Sequence, residues 1–114
     1  MCGIVGVLDP QRHRAAADAA QLVDHMAGAM VARGPDASGT WADEQAGVAF
    51  GHRRLSILDL SDHGAQPMRS TDGRYVLTYN GEIYNHRGVA ADLTAAGVTM
   101  RGHSDTEVLV EAIA

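Results

Sequence analysis

The first half of the chain alternates between apolar patterns typical of strands and of a helix. The run Gly3–Leu8 is rich in β-branched residues, which predicts a buried strand. Across 15–31 apolar residues recur at helical spacing, and the Arg-Gly-Pro-Asp sequence at 33–36 predicts the end of that helix. Two further short strands are predicted at 39–42 and 48–57.

The second half continues with a loop and an apparent hairpin. The segment 59–72 is punctuated by glycine and proline, which is typical of a loop. Residues 75–79 have strand character and run into the turn pair Asn80-Gly81, with a second apolar run at 82–84. An Asn-Gly pair between such runs predicts a two-residue β-hairpin.

Two helices are predicted to end the chain. Asn85 is a candidate N-cap for the first, which should bury Val89, Leu93 and Ala96 and end at Gly97.

The second helix begins with a capping-box sequence, Ser104 to Glu107, and continues as one apolar stripe at 108–113. No C-cap signal follows, because the sequence stops at Ala114. We therefore expect the chain to be part of a longer protein.

Composition excludes several classes of function. At 114 residues with 46% hydrophobic side chains, the chain forms one small domain or part of one. It carries neither a membrane-spanning apolar run nor a signal sequence, which makes the cytoplasm the default location. The net charge of −5 argues against nucleic-acid binding. All nine basic residues are arginines, which excludes a P-loop and a Schiff-base lysine. The six histidines are irregularly spaced, and no metal site is predicted.

Cys2 is the only cysteine and directly follows Met1. Removal of Met1 would leave one residue carrying a thiol and a free α-amine, whose reference pKa of about 7.7–8.0 suits a base for a thiol of about 8.5. An N-terminal amine that activates its own nucleophile is an established catalytic device. The alternative is that Cys2 is simply a small buried apolar residue.

Six short segments of the chain contain the polar and glycine residues that are candidates for a functional site. They are Met1–Gly6, Arg33–Asp36, Gly51–Ile57, Gln66–Met68, Tyr79–Asn85 and Ser104–Glu107. In this order the chain resembles the class II glutamine amidotransferase domain, and most of all the glutaminase half of glutamine-dependent asparagine synthetase. The resemblance covers essentially all of 1–114 but only about the first half of a family glutaminase domain. It implies an α+β fold, part of a four-layer α/β/β/α N-terminal-nucleophile hydrolase sandwich with antiparallel sheets.

The resemblance implies a nucleophile and an oxyanion site. Cys2 matches the nucleophile, and the Asn80 side chain and Gly81 N–H match the oxyanion donors, although this pair in isolation is typical of a simple turn. Arg53 varies in the family and is interpreted as a surface charge, and 33–36 as a structural turn.

The resemblance also implies a clamp for the two charged ends of glutamine. Arg54 matches the group that binds the α-carboxylate, and Glu82 and Asp105 match those that bind the α-ammonium. Asp105 would also be favoured at a helix start by the dipole alone. Leu55 and Ile57 match positions that contact glutamine through backbone groups, and strand packing would account for both.

The implied activity is hydrolysis of L-glutamine, with ammonia passed to a synthetase domain of the same polypeptide that makes asparagine. ATP and Mg²⁺ are implied only for that domain, which lies outside this sequence, and no cofactor is implied for residues 1–114. An amidotransferase serving a sugar, peptide or antibiotic precursor is an open alternative, as is a non-catalytic fragment. A homodimer also stays open. We expect the isolated chain to be poorly stable and weakly active. His52 and His103 flank site positions and could tune them electrostatically.

Overall fold

Strand β3 (Val48–Arg54) is the centre of a three-stranded antiparallel sheet in the computed structural model, which describes residues 1–56 and 61–114. It pairs on one edge with β1 (Gly3–Leu8) and on the other with β2 (Ala37–Asp43). The register places Gly3 opposite Arg53 and Ala37 opposite Arg54. This sheet belongs to the first of two compact units, Met1–Leu55.

Helix α1 (Ala16–Gly28) covers one face of this sheet and buries Val23 and Ala27. Helix α1 can lie this close to β3 because residue 51 is a glycine: an added Cβ there would lie 2.8 Å from the Val23 carbonyl oxygen. The expectation that β1 is wholly buried is wrong. Alternate residues of β1 are exposed, with Leu8 at 71%, because the helix packs against only one face of the sheet.

The second unit, Ser56–Ala114, begins in its described part with a 3-10 turn at Asp62–Gly64. A short hairpin follows, in which β4 (Met68–Arg69) pairs antiparallel with β5 (Val76–Leu77). The predicted hairpin about Asn80-Gly81 is therefore wrong: β5 pairs with a strand that precedes it in the chain. No strand is present at 82–84.

Two helices complete this unit, α2 (His86–Ala95) and α3 (Asp105–Ile113), and they pack against each other. Gly97 has φ +97°, and the hydrogen bond from the Val98 N–H to the Leu93 carbonyl at 3.0 Å closes a Schellman motif, as predicted for this helix end.

The burial predicted for α2 is wrong. Val89 and Leu93 are only half-buried and Ala96 is exposed, because α2 packs along α3 and buries no residue fully. Asn85 is the N-cap residue, but its side chain makes no capping hydrogen bond.

Helix α3 starts as predicted, with the Ser104 hydroxyl accepting the Glu107 N–H at 3.2 Å. Glu107 is fully buried, and its carboxylate accepts the backbone N–H groups of Arg101 at 2.6 Å and Gly102 at 2.8 Å. Glu111 likewise accepts the Thr71 N–H at 2.7 Å. Two buried carboxylates of α3 therefore hold the backbone at 101–102 and at Thr71.

The helices in the described part of the chain are all too short or too polar to cross a membrane. Both sheets are antiparallel and are accompanied by helices, so the α+β class is confirmed.

Candidate active site

The pairing of β1 with β3 determines where the only thiol lies. Cys2 directly precedes β1, and Leu55 directly follows β3. The Leu55 N–H donates to Cys2 Sγ at 3.3 Å, and the thiol donates to the Leu55 carbonyl at 3.6 Å. The half-buried thiol is thus held against the backbone of Leu55, the residue that follows Arg54 in the chain.

Met1 precedes Cys2 in this structure, so the Cys2 nitrogen is an amide. An amide nitrogen has no basic lone pair, and a base at this position requires removal of Met1. Met1 is 71% exposed and therefore accessible to a processing enzyme.

The segment Arg33–Asp36 packs directly against the end of β3. An added Cβ at Gly34 would contact the Arg53 carbonyl group and lie 2.7 Å from the Arg54 nitrogen. The Arg53 Nε donates to the Gly34 carbonyl at 2.9 Å, and the Asp36 N–H donates to the Arg54 carbonyl at 2.9 Å. The interpretation of Arg53 as a surface charge is therefore wrong, because its guanidinium fastens this segment to the strand.

Arg54 is buried, with 9% of its surface exposed. A guanidinium at this position supplies the planar fork of donors that a carboxylate accepts. The first unit therefore brings together three of the predicted site residues, Cys2, Arg54 and Leu55. Ile57 lies outside the described residues.

The second unit carries the other four predicted residues, and three of them form one exposed stretch, Asn80, Gly81 and Glu82. Both ends of this stretch are held by side chains. The Tyr79 N–H donates to Gln66 Oε1 at 2.6 Å, and the Ile83 N–H donates to Asp105 Oδ2 at 2.9 Å. Asn80 and Gly81 are thereby presented on a backbone fixed at both sides.

The hydrogen bond to Gln66 accounts for the missing hairpin. In a two-residue hairpin about Asn80-Gly81, the Tyr79 N–H would donate to the facing strand. Here the Gln66 carboxamide oxygen accepts it instead, and the Asp105 carboxylate holds the Ile83 N–H. Asp105 is buried at the first position of α3, a position where acidic residues are common in helices.

Gln66 is the residue that sequence reasoning missed. The segment Gln66–Met68 is one of the six that carry the family resemblance, which implies no role for Gln66. Beyond its bond to Tyr79, Gln66 Nε2 donates to Thr106 Oγ1 at 3.1 Å. A side-chain contact spanning forty positions of sequence leaves no periodic signal, so only the motif itself could have drawn attention to it.

The two histidines that flank site positions differ in surroundings. His52 lies within β3 at 1% exposure, and His103 is exposed ahead of α3. Across residues 1–56 and 61–114, no three His, Cys, Asp or Glu side chains cluster in a way that could hold a metal ion.

Comparison with known proteins shows similarity along the whole chain. A family model described as glutamine amidotransferase domain matches residues 1–114. Glutamine-hydrolyzing asparagine synthetase 1 of Bacillus subtilis (strain 168) is 44% identical over 110 residues, which cover 96% of this chain and 17% of that protein.

Of two further relatives, one is named as an asparagine synthetase and the other as an amidase. A putative glutamine-hydrolyzing asparagine synthetase of Mycobacterium tuberculosis (H37Rv) is 37% identical, covering 96% of this chain and 18% of that protein. The amidase chry2 of Gibberella zeae is 35% identical, covering 96% of this chain and 17% of that protein. The chain thus spans less than a fifth of the length of each of these relatives.

Proposed function

The chain belongs to the glutamine amidotransferase domain family, and on that premise we propose that it hydrolyses L-glutamine to glutamate and ammonia with Cys2 as the nucleophile. The observation that carries the proposal is the reciprocal hydrogen bonding between the Cys2 thiol and the Leu55 backbone. It holds the one thiol of the chain beside Arg54, a buried group suited to an amino-acid carboxylate.

The proposed reaction has two stages. Once Met1 is removed, the α-amine of Cys2 accepts the thiol proton, and sulfur attacks the side-chain carbonyl carbon of glutamine. The C–N bond then breaks, the same proton passes to the leaving ammonia, and a γ-glutamyl thioester remains. Water hydrolyses the thioester to glutamate and restores the thiol.

Oxyanion stabilisation is assigned to the Asn80 side chain and the Gly81 N–H. Both residues are exposed, and the backbone that carries them is anchored at both ends, which is the preorganisation that this role requires. A side chain at Gly81 would place its Cβ 2.5 Å from the Tyr79 hydroxyl oxygen, so a glycine at this position makes room for the Tyr79 ring.

The charged ends of glutamine are assigned to three side chains. Arg54 binds the α-carboxylate, and Glu82 and Asp105 bind the α-ammonium. Oδ2 of Asp105 is engaged by the Ile83 N–H. Since a carboxylate has two oxygens and about four acceptor sites, this bond is compatible with an ammonium contact. Leu55 and Ile57 complete the assignment through backbone groups.

The names of the relatives extend the proposal to the whole protein. Two of the relatives described above are named asparagine synthetases. We assign the ammonia to an ATP- and Mg²⁺-dependent synthetase domain of the same polypeptide that converts aspartate to asparagine. Family membership likewise supports a complete four-layer α/β/β/α sandwich. The similarity to a protein named as an amidase favours one alternative, a glutaminase domain that serves another acceptor.

Intact-mass spectrometry before and after 6-diazo-5-oxo-L-norleucine, a glutamine-like alkylator, tests the glutaminase proposal. We expect loss of Met1 and one adduct at Cys2 that excess glutamine prevents. Cys2→Ser should give no adduct, and iodoacetamide reports whether the thiol is reactive without glutamine recognition. A processed, iodoacetamide-reactive protein that takes up no glutamine analogue would refute the proposal for this chain.

A further inference from the structure

We propose that Gln66 is a positioning residue for glutamine hydrolysis, an inference that rests on the function proposed above. Its carboxamide fixes the backbone that presents the oxyanion donors Asn80 and Gly81. Gln66 does not touch the reacting atoms in this assignment. It acts by holding the Tyr79 N–H at the entrance to that stretch.

Three side-chain hydrogen bonds within the second unit connect both ends of the stretch to helix α3. Gln66 Oε1 accepts the Tyr79 N–H at 2.6 Å, and Gln66 Nε2 donates to Thr106 Oγ1 at 3.1 Å. Thr106 adjoins Asp105 in the first turn of α3, and Asp105 accepts the Ile83 N–H at 2.9 Å. Both ends of the stretch are therefore tied to the same turn of one helix.

The bonds to Tyr79 and Thr106 together hold the carboxamide in one orientation. A carboxamide has an acceptor oxygen and a donor nitrogen, and a flip would turn its NH₂ group toward the Tyr79 N–H, which can only donate. The Tyr79 N–H therefore requires the oxygen to face it, and the buried Thr106 hydroxyl accepts the NH₂ group on the other side. Helix α3 is itself fixed at this end by the Ser104 cap.

Loss of this anchoring should affect the rate of the chemical step more than the binding of glutamine. Oxyanion donors act on charge that develops in the transition state, so a displaced donor lowers the chemical rate more than ground-state binding. A displacement of about 1 Å can cost on the order of 10²-fold in rate. Removal of the Gln66 carboxamide should therefore lower kcat for glutamine hydrolysis, while KM changes little.

The test measures kcat and KM for the release of glutamate from L-glutamine. Gln66→Met keeps side-chain length without hydrogen bonds, and Thr106→Val removes the acceptor of the Gln66 NH₂ group. We expect kcat to fall at least about 10-fold in Gln66→Met, with KM within about 3-fold, because the oxyanion donors act in the transition state and the charged clamps act already in the ground state. Thr106→Val should move kcat in the same direction, and Thr106→Ser, which keeps the hydroxyl, should restore most of the rate.

Controls separate this effect from a loss of fold. Gln21→Met alters an exposed glutamine of α1 and should leave both constants unchanged. Unfolding midpoints of all variants identify any that are globally destabilised. Equal kcat in Gln66→Met and the unaltered chain, or equal loss of kcat in Thr106→Ser and Thr106→Val, would overturn the inference. Absence of glutamine-protected labelling in the unaltered chain would instead refute the proposed function, and this inference with it.

Discussion

Gly34→Ala is the substitution whose effect follows most directly from the packing around Arg54. An alanine Cβ at this position would lie 2.7 Å from the Arg54 nitrogen and still closer to the Arg53 carbonyl group. Ordinary separations of non-bonded carbons are about 3.5–4.0 Å, so roughly 1 Å of movement is required. The contacted atoms are backbone atoms of β3, which no rotamer change can withdraw.

The magnitude follows from that displacement. Forcing a methyl group into well-packed backbone typically costs about 1–3 kcal/mol of folding free energy. The strain falls on the hydrogen bonds that join Gly34 to Arg53 and Asp36 to Arg54. Because Arg54 is assigned to the substrate carboxylate, a shift of this size should also slow glutamine-protected alkylation of Cys2, by up to about 10²-fold.

Urea unfolding of the unaltered chain, Gly34→Ala and Gly28→Ala provides the assay, with Cys2 alkylation measured in parallel. Gly28 is the matched control, since it lies at the end of α1 with no atom within 4 Å of an added Cβ. Its substitution should leave stability unchanged or raise it slightly, because alanine is the better helix former. Equal unfolding midpoints for the two variants would refute the steric reasoning.

Two other predictions concern the second unit. Glu107→Ala should destabilise the chain by about 1–3 kcal/mol for each of the two backbone N–H groups, of Arg101 and Gly102, that lose their acceptor. Glu107→Gln keeps an acceptor and should cost less in urea unfolding, and equal costs would contradict this account. The Ser70 hydroxyl, followed by the Arg74 N–H, lowers the pKa of Asp72 below 3.8. Since the folded-state value is depressed, this contribution to stability is present above the unfolded-state pKa and is lost as pH falls through the folded value. NMR titration of Asp72 should show the low value, and Ser70→Ala should raise it; an unchanged value would contradict the assigned cause.

Elements held by local signals could be predicted from the sequence. The bounds of β1 match the β-branched run, and the ends of α2 and α3 match a left-handed glycine and a capping serine. Each of these signals acts within a few residues of the structure that it specifies. The family resemblance supplied the site assignments, which periodicity alone could not provide.

The hairpin prediction is wrong because side chains compete there with the backbone. The strand run 75–79 and the pair Asn80-Gly81 favour a hairpin by local propensity. The Tyr79 N–H, which would enter that ladder, is accepted instead by Gln66, 13 positions away in sequence, and Asp105 accepts the Ile83 N–H from 22 positions away. No local pattern encodes such bonds, and they override strand preferences that span only about 1 kcal/mol.

The same competition explains why the site stretch does not pair as a strand. In the predicted hairpin, the Tyr79 N–H would be committed to the facing strand, and Asn80 and Gly81 would form a tight two-residue turn. Holding the stretch by side chains at Tyr79 and Ile83 fixes its position and leaves the groups between the two anchors exposed. A preorganised donor needs this combination of a fixed backbone and an N–H available to substrate. The local departure from the hairpin preference thus coincides with the residues assigned to the oxyanion, as expected where function overrides propensity.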